Sequence, residues 1–375
     1  MAFQSVGNLI RNSSTRLSNQ KKLKTLRRQR ALRQRLMQFE QLERRNLFAS
    51  VTTNYAHVVV AIFENRNISE IIGSVDAPYF NSLASQGSLL TNSFGITHPS
   101  QPNYLHLFSG DDQGIDGNQP LGYQLDTPNL GAALLGAGKT FTGYYEDADD
   151  IRHHPWTNWM VDPPGTNQLP SSVHQLFSSF PTDFNTLPTV SFVSPSDANN
   201  MHDGSVADGN AWLASNLSDY ANWAKNNNSL LVVTFDEDRY NGNNEIATIF
   251  FGAGIKSNFQ DATLVNHHNL LRTIEDIYGT SHSGQAAFVP PITGVFGGKL
   301  QASLSNGNLT IIDSDPTGRA NSLSVRTLSN GIDLQITDEA ESFSAAPLGG
   351  ILSNGGRTLT IPKSAITNKI GRAHV

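Results

Sequence analysis

Four continuous apolar runs rich in β-branched residues constrain the fold of this chain more than any other feature of its sequence. They are His57–Phe63, Thr189–Val193, Leu230–Phe235 and Ile246–Phe251. Runs of this kind are typical of strands buried on both faces, as in a parallel sheet. Helical patterns lie between them, at Pro78–Gln86, Asn129–Leu135, Asn210–Lys225 and Leu264–Tyr278. The alternation predicts an α/β fold in which helices sandwich a mostly parallel central sheet.

The chain of 375 residues is long enough for roughly two or three domains. Its composition changes near residue 55 and again near residue 299. We therefore expect a basic N-terminal arm (1–54), a globular α/β domain (55–298) and a small, incomplete β-rich module (299–369). The Asn-Gly pairs at 306–307 and 330–331 predict hairpin turns in that module. We expect the module to serve in structure or surface display rather than in catalysis.

The first 50 residues carry twelve basic and two acidic side chains, a formal charge of +10, whereas the rest of the chain carries −16. A polybasic arm suits nucleic acid, anionic lipid or an export receptor. It has no apolar segment of a secretory signal, but LERRNLFAS (42–50) resembles a motif near the N-terminus of some exported bacterial surface proteins. We favour export, which predicts a secreted or cell-surface protein with possible surface attachment.

Several classes of protein are excluded or disfavoured by composition. The absence of Cys excludes disulfides, Cys-zinc sites, iron–sulfur clusters and thiol nucleophiles. The acidic body predicts no nucleic-acid partner, because phosphate contacts require basic surface. No apolar run approaches the ~18 residues of a membrane span. The final six residues, IGRAHV (370–375), match one translated frame of a common sequencing adapter, and we expect them to replace the natural C-terminus.

Acidic residues directly follow two of the apolar runs. Glu64 and Asn65 come after the first run, and Asp236 and Glu237 come after Leu230–Phe235. Because ligands gather at the carboxyl ends of parallel strands, we expect these side chains to converge. Carboxylate and amide oxygens suit a hard divalent cation such as Ca²⁺, Mg²⁺ or Mn²⁺. The alternative is an acidic exit from the strands that holds no metal.

The segment THPSQPNYLHLFSG (97–110) places Ser100 between two prolines, just before a helical pattern. Pro102 suits the first turn of a helix, so we expect Ser100 at a helix N-terminus. Free backbone N–H groups at such an end favour an anion. His98 and Asn103 flank the serine as donors for phosphate oxygens, although an ordinary N-cap serine is the alternative.

Histidines in polar loops or at helix starts complete the set of candidate residues. His153, His202 and His267 lie in RHHPW, MHDG and NHHN, respectively. Histidine can act as a general acid or base near neutral pH. Taken singly, a histidine in such a position more often has a surface or capping role.

Together, these segments resemble the bacterial phosphoesterase family of acid phosphatases and phospholipases C, within the alkaline-phosphatase-like superfamily. The likeness runs from about residue 57 to 291 and is greatest to short secreted acid phosphatases. The matching stretches, in family order, are VVVAIFENRNISEIIG, THPSQPNYLHLFSG, KTFTGYYED, RHHPW, SDANNMHDGSVADGNAWL, LLVVTFDED and NHHNLLRTIEDIYG. Departures are modest: ENRN (64–67) replaces the usual ENRS, and His154 replaces the Asn of a His-Asn-Pro motif.

The resemblance implies roles by position. The metal ligands fall on Glu64, Asn65, Asp236 and Glu237, and the nucleophile falls on Ser100. Asn103, His98 and His153 are expected to bind the phosphate group. The remaining catalytic positions are His202 and His267.

What the resemblance implies is a secreted metal-dependent acid phosphatase, which hydrolyses small-molecule or lipid phosphate monoesters through a phosphoserine. Two alternatives stay open. One is a phospholipase C-like phosphodiesterase, which the short chain disfavours. The other is a non-catalytic surface-binding protein, in which the β module does the work.

Overall fold

A computed structural model describes residues 55–148, 151–240, 242–305, 307–313, 323–338, 342–343, 346–347, 349–353, 357–367 and 370–374. The basic arm, with its predicted role in export, lies outside these residues. Among the helices described, none has the length and apolar character needed to cross a membrane.

Ten strands and six α-helices are described within residues 55–298. The strands are β1 (His57–Phe63), β2 (Ser88–Leu90), β3 (Ser93–Phe94), β4 (Phe141–Tyr145), β5 (His174–Leu176), β6 (Val190–Ser194), β7 (Ser229–Phe235), β8 (Thr248–Gly252), β9 (Phe259–Asp261) and β10 (Val265–Asn266). The helices are α1 (Ile68–Ile71), α2 (Pro78–Gln86), α3 (Ser100–Ser109), α4 (Leu130–Gly136), α5 (Val206–Ala224) and α6 (His267–Tyr278). Short 3₁₀ turns cover Ile151–His153, Pro155–Trp159, Ser171–Val173, Phe177–Ser179, Phe184–Thr186 and Gly284–Phe288.

The main sheet has the strand order β5-β4-β6-β1-β7-β8-β2-β9. Neighbouring strands run parallel except at β8, which is antiparallel to both β7 and β2. The predicted mostly parallel sheet is therefore confirmed. The run Ile246–Phe251, grouped with the parallel strands, instead contributes the antiparallel strand β8, because the described residues between β7 and β8 contain no crossover helix.

The two faces of β1 explain its unbroken apolar sequence. Val58, Val60 and Ile62 belong to a core that also contains side chains of α3, α4 and α6. Val59, Ala61 and Phe63 belong to a second core with side chains of α2 and α5. Apolar residues are required on both faces because helices cover both. The predicted α/β/α sandwich is thus confirmed.

A small parallel pair of strands joins two segments that are far apart in sequence. β3 pairs with β10 in the register Ser93↔Val265 and Phe94↔Asn266. β3 leads into the loop before α3, and β10 leads directly into α6. The N-termini of α3 and α6, which carry Ser100 and His267, are thereby tied to the same edge of the domain.

The C-terminal region forms the small β module that the sequence predicts. Its strands are β11 (Gly298–Ser305), β12 (Asn308–Asp313), β13 (Leu323–Thr327), β14 (Asp333–Asp338), β15 (Ser342–Phe343), β16 (Ile351–Ser353), β17 (Thr358–Pro362) and β18 (Ile370–His374), with a 3₁₀ turn at Lys363–Ala365. They form two four-stranded sheets around a separate apolar core. Both predicted turns connect antiparallel strands, and Gly307 and Gly331 each adopt a φ of +73°. The terminal segment contributes β18, which pairs in parallel with β12; its predicted origin stays a prediction.

Candidate active site

The acidic residues that follow β1 and β7 meet at one edge of the main sheet. The two strands are parallel neighbours with Phe63 opposite Phe235, so Glu64 and Asp236 leave the sheet side by side. The backbone N–H of Asn65 donates to Asp236 Oδ1 at 3.1 Å, and its side-chain amide donates to Glu64 Oε2 at 3.1 Å. Asn65 therefore ties the two strand ends together. The structure brings these predicted ligand residues together.

Ser100 is the first residue of α3, as its position between two prolines predicts. Its hydroxyl lies 3.1 Å from Glu64 Oε2 and 3.4 Å from Glu237 Oε1. All of these side chains are buried. We call Glu64, Ser100, Asp236 and Glu237 the nucleophile cluster, because it joins one hydroxyl to three carboxylates.

Two side chains on the first turns of α3 hold the carboxylates beside the serine. Asn103 Nδ2 donates to Glu237 Oε2 at 2.9 Å and to the carbonyl of Thr97 at 2.7 Å. The hydroxyl of Tyr104 donates to Glu64 Oε1 at 2.6 Å. Tyr104 was not among the predicted site residues. Its position four residues after Ser100, on the same helix face, is the one signal that marks it.

Burial makes the nucleophile cluster electrostatically costly as long as it contains only protein groups. Burial raises the pKa of Glu64 well above its usual range, and the neighbouring Asp236 adds to this effect. Burial also raises the pKa of Asp236. The pKa of Glu237 is raised to about 9 by burial, then by Asp236 and Glu64. Asp236 Oδ2 is buried and has no hydrogen-bond partner among the described residues. Either protonation or a bound cation relieves the repulsion between carboxylates packed this closely.

His98 lies across the mouth of the nucleophile cluster. Its Nδ1 is 3.0 Å from Glu237 Oε2, and its Nε2 is 3.3 Å from Asp238 Oδ1. The exposed ring of Tyr240 stacks on the imidazole, with ring centroids 3.9 Å apart. His98 is therefore held against two carboxylates at the site, and its role in substrate binding stays a prediction.

A second group of acidic and histidine side chains lies behind His153. The buried imidazole of His153 has Nε2 3.2 Å from Glu64 Oε1 and Nδ1 3.4 Å from Asp197 Oδ1. His202 Nδ1 is 2.7 Å from Asp203 Oδ1 and 3.9 Å from Asp197 Oδ2. We call Asp197, His202 and Asp203 the Asp197 cluster. The two aspartates were not predicted, although both occur in the polar loop segment SDANNMHD.

His267 occupies the first position of α6 and contacts the backbone rather than a carboxylate. Its Nε2–H donates to the carbonyl oxygen of Asp236 at 2.6 Å. Burial lowers the pKa of His267 to about 4, so the ring is neutral over most of the pH range. His267 thus lies at the carboxyl end of β7, where its hydrogen bond holds the main chain at Asp236.

The helix start at Ser100 offers fewer donors than the sequence predicts. The backbone N–H of Gln101 donates to Asn118 Oδ1 at 2.9 Å. Pro102 has no N–H group. Gln101 and Pro102 therefore have no free backbone N–H to offer an anion, which leaves the backbone N–H of Ser100 among the first three helical residues. An anion at this site consequently depends more on side chains than on the helix end.

Comparison with known proteins shows the family to which this sequence belongs. The model of the phosphoesterase family matches residues 74–281. A phosphatidylinositol-3-phosphatase of Mycobacterium tuberculosis is 44% identical over 265 residues, which are 67% of this chain and 86% of that protein. An acid phosphatase of Aspergillus fumigatus is 28% identical over 230 residues. Those residues cover 54% of this chain and 51% of the fungal protein, so the chain spans about half of that relative.

A solved structure supports the fold. A protein of the alkaline phosphatase superfamily from Vibrio parahaemolyticus superimposes with a TM-score of 0.50 over 84% of this chain and 80% of that one, at 10% identity. At this identity the likeness concerns the fold alone. The family match covers more than half of the chain and includes Ser100, Asp236 and Glu237. The chain therefore belongs to the phosphoesterase family and is a phosphoric ester hydrolase.

Proposed function

We propose that the protein is a secreted, divalent-metal-dependent acid phosphatase that cleaves phosphate monoesters through a phosphoserine at Ser100. The observation that carries this proposal is the position of the Ser100 hydroxyl between Glu64 Oε2, at 3.1 Å, and Glu237 Oε1, at 3.4 Å. A buried serine has no structural need for two carboxylate neighbours. A nucleophile that must lose its proton beside a cation does need them.

The donor set fits a hard cation. Glu64, Asp236 and Glu237 supply carboxylate oxygens, Asn65 can add an amide oxygen, and Asp236 Oδ2 lacks any partner in the described protein. Oxygen donors without sulfur or imidazole suit Ca²⁺, Mg²⁺ or Mn²⁺. A cation held by these residues supplies positive charge that favours the Ser100 alkoxide and offsets the charge of the phosphoryl oxygens.

The residues of the chain then account for each bond change. The Ser100 hydroxyl gives its proton to the Glu64 carboxylate, and Oγ forms a bond to phosphorus. The bond from phosphorus to the alcohol oxygen breaks, and the leaving alcohol takes a proton from His202. Water then attacks phospho-Ser100 and returns a proton to His202. The bond between Oγ and phosphorus breaks, and Ser100 regains its proton from Glu64.

The remaining predicted residues position these groups. Asn103 holds Glu237, and His267 braces the main chain at Asp236. We assign His98, His153 and the Asn103 amide to the phosphoryl oxygens, since all three already lie within 3.2 Å of a cluster carboxylate. Asp203 orients the ring of His202 through the 2.7 Å contact to Nδ1.

The similar proteins favour a monoesterase over a diesterase, because both names are those of phosphatases. The mycobacterial name specifies a lipid phosphate, whereas the fungal name specifies none. Lipid and soluble phosphate monoesters are therefore both proposed substrates. The basic arm supports export, and the β module supports attachment at the cell surface.

Trapping the covalent intermediate tests this proposal. The protein is mixed with an aryl phosphate, quenched in acid and examined by peptide mass spectrometry, before and after exhaustive chelation. We expect one added phosphoryl group on the peptide that contains Ser100, and faster turnover of the monoester than of the matched diester. Phosphate on another residue, or full activity in a demonstrably metal-free sample, would overturn the mechanism.

A further inference from the structure

The loop that carries His202 is tied to the end of β1 on both sides of that histidine. The backbone N–H of Glu64 donates to the carbonyl oxygen of Asn200 at 2.8 Å. Arg66 Nη2 donates to the carbonyl oxygen of Gly204 at 2.8 Å. Asn200 and Gly204 lie two residues before and two residues after His202. The strand end that supplies the Glu64 carboxylate therefore also holds the loop that carries the proposed proton donor.

This loop is closed by its own hydrogen bonds, so that a tether at one point holds the rest. The backbone N–H of His202 donates to Asn200 Oδ1 at 2.7 Å. The backbone N–H of Asp203 donates to the carbonyl oxygen of Asp197 at 2.9 Å. A side-chain carbon at Gly204 would collide with a backbone oxygen of the same loop, because the main chain is packed against itself there. A displacement of Gly204 would consequently move His202 with it.

Arg66 is a buried charged residue whose bonds go to carbonyl groups. The side chain is 2% exposed, and among the described residues it forms no ion pair with a carboxylate. Its Nη1 donates to the carbonyl oxygen of Asn65 at 2.7 Å. Removing a charge from water is costly unless hydrogen bonds replace its hydration. A planar guanidinium presents donors on two nitrogens, which suits a bridge between two carbonyl groups. The bridge made by Arg66 joins the metal-ligand segment to the loop of the Asp197 cluster.

We infer that Arg66 is a positioning residue, which holds His202 where its proton reaches the leaving alcohol. The inference rests on the proposed function, in which His202 protonates that alcohol. The alternative is that the charge of Arg66, two residues from Glu64, acts on the nucleophile cluster directly. The two roles predict different kinetics. A misplaced proton donor slows the release of a poor leaving group most, whereas a weaker nucleophile cluster slows attack on every ester.

A double-mutant cycle between Arg66 and His202 tests the inference. With excess divalent metal, kcat/KM is measured for propyl phosphate and for para-nitrophenyl phosphate. The full-length proteins are the wild type, Arg66→Met, His202→Asn and the double variant. We expect Arg66→Met to lower kcat/KM on the propyl ester by about tenfold or more, and on the aryl ester by much less, because a misplacement of about 1 Å can cost about 100-fold. In the His202→Asn background, Arg66→Met should cause almost no further loss on the propyl ester.

Two further variants separate the tether from the charge and from a general effect of the substitution. Arg66→Lys keeps the positive charge, but its ammonium ends one bond short of the two Nη positions. It should therefore also lower kcat/KM selectively on the propyl ester, and it replaces Arg66→Met in the cycle if that variant does not fold. The control Arg326→Met makes the same change at an exposed position of β13 and should keep both wild-type values.

The outcomes separate this inference from the proposed function. Equal losses on the two esters, additive losses in the double variant, or wild-type values in folded Arg66→Lys would each overturn the positioning role of Arg66. Phosphate trapped on Ser100 in the same samples would show that the proposed covalent route still stands. A wild type that forms no phospho-Ser100, or a loss in His202→Asn that is equal for both esters, would overturn the proposed mechanism and this inference with it.

Discussion

The nucleophile cluster and the Asp197 cluster contain similar chemical groups in opposite environments. The side chains of Glu64 and Glu237 are at most 1% exposed. In the second cluster, the exposed fractions are 23% for Asp197, 27% for His202 and 73% for Asp203. Both clusters touch His153, which lies 3.2 Å from Glu64 and 3.4 Å from Asp197. His153 therefore lies between the buried nucleophile cluster and the partly exposed Asp197 cluster.

This contrast assigns different tasks to the two clusters. The buried carboxylates of the nucleophile cluster have raised pKa values, so this cluster suits the metal binding and the attack on phosphorus that we propose. The Asp197 cluster is partly exposed to solvent, which suits the role that we propose for His202, the protonation of the leaving alcohol. We therefore expect substitutions in the nucleophile cluster to reduce the rate of attack on phosphorus and the affinity for metal. Substitutions in the Asp197 cluster should reduce the rate by an amount that depends on the leaving group.

Removal of the nucleophile should have the largest effect. Ser100→Ala deletes the hydroxyl between Glu64 and Glu237, and we expect turnover of an aryl phosphate to fall by about 10³-fold or more, with no phosphoenzyme. The matched control is Ser109→Ala at the other end of α3, where the hydroxyl contacts the backbone carbonyls of Leu105 and Asp111 and accepts from Gln113 Nε2, far from any carboxylate of the nucleophile cluster in sequence. Near-wild-type kcat in folded Ser100→Ala would refute the covalent route.

The second largest effect should come from the proton donor. We expect His202→Asn to reduce kcat on an alkyl phosphate by about 100-fold, and on an aryl phosphate by much less, because a good leaving group needs little protonation. His282→Asn is a close control, since His282 Nε2 lies 2.7 Å from Asp276 Oδ1 and its side chain is 30% exposed. Equal losses on both esters would mean that His202 does not protonate the alcohol.

Three examples show which features of the fold and of the site could be predicted from the sequence alone. β1 was predicted to the residue, because a strand covered on both faces has an unbroken apolar run with polar residues directly after it. Tyr104 was not predicted, because a tyrosine beside Leu105, Leu107 and Phe108 has the sequence pattern of a core residue. Only the structure shows that its hydroxyl donates to Glu64. The bond from Gln101 to Asn118 depends on a loop that only the folded chain brings back to α3.

Metal removal should distinguish the clusters by stability. We expect Glu237→Gln to be more stable than the wild type after chelation, by about 1–3 kcal/mol, because one buried acidic group is removed from the repelling set. With excess Mg²⁺, Ca²⁺ or Mn²⁺ the order should reverse, since a ligand at 100 times its Kd stabilises the native state by about 2.7 kcal/mol. Urea unfolding of both proteins, after chelation and with excess metal, measures the two differences in unfolding free energy.

A matched change at the Asp197 cluster is Asp203→Asn, because Asp203 is largely exposed. Its unfolding free energy should respond to metal as the wild type does. A metal response that survives in Glu237→Gln but disappears in Asp203→Asn would move the cation site from the nucleophile cluster to the Asp197 cluster.

The last comparison concerns a buried carboxyl group outside both clusters, which tests what burial does without a metal. Glu275 on α6 is fully buried, and its Oε1 accepts the backbone N–H of Ser283 at 2.7 Å. Burial raises the pKa of Glu275 from 4.5 to about 8, against the opposing effects of Ser283 and Arg272. The folded protein thus holds a proton that the unfolded chain releases above pH 4.5.

The contribution of Glu275 to stability is therefore complete below pH 4.5 and is lost as the pH rises through about 8. The loss has a slope of at most about 1.4 kcal/mol per pH unit. Glu275→Gln keeps an oxygen for Ser283 and cannot titrate, so its unfolding free energy should fall less between about pH 5 and 8 than that of the wild type. Urea unfolding of both proteins across this range, with exposed Asp219→Asn as the control, measures the difference. Parallel pH profiles for wild type and Glu275→Gln would show that burial alone does not hold a carboxyl protonated in this fold, and would weaken the same argument for the nucleophile cluster.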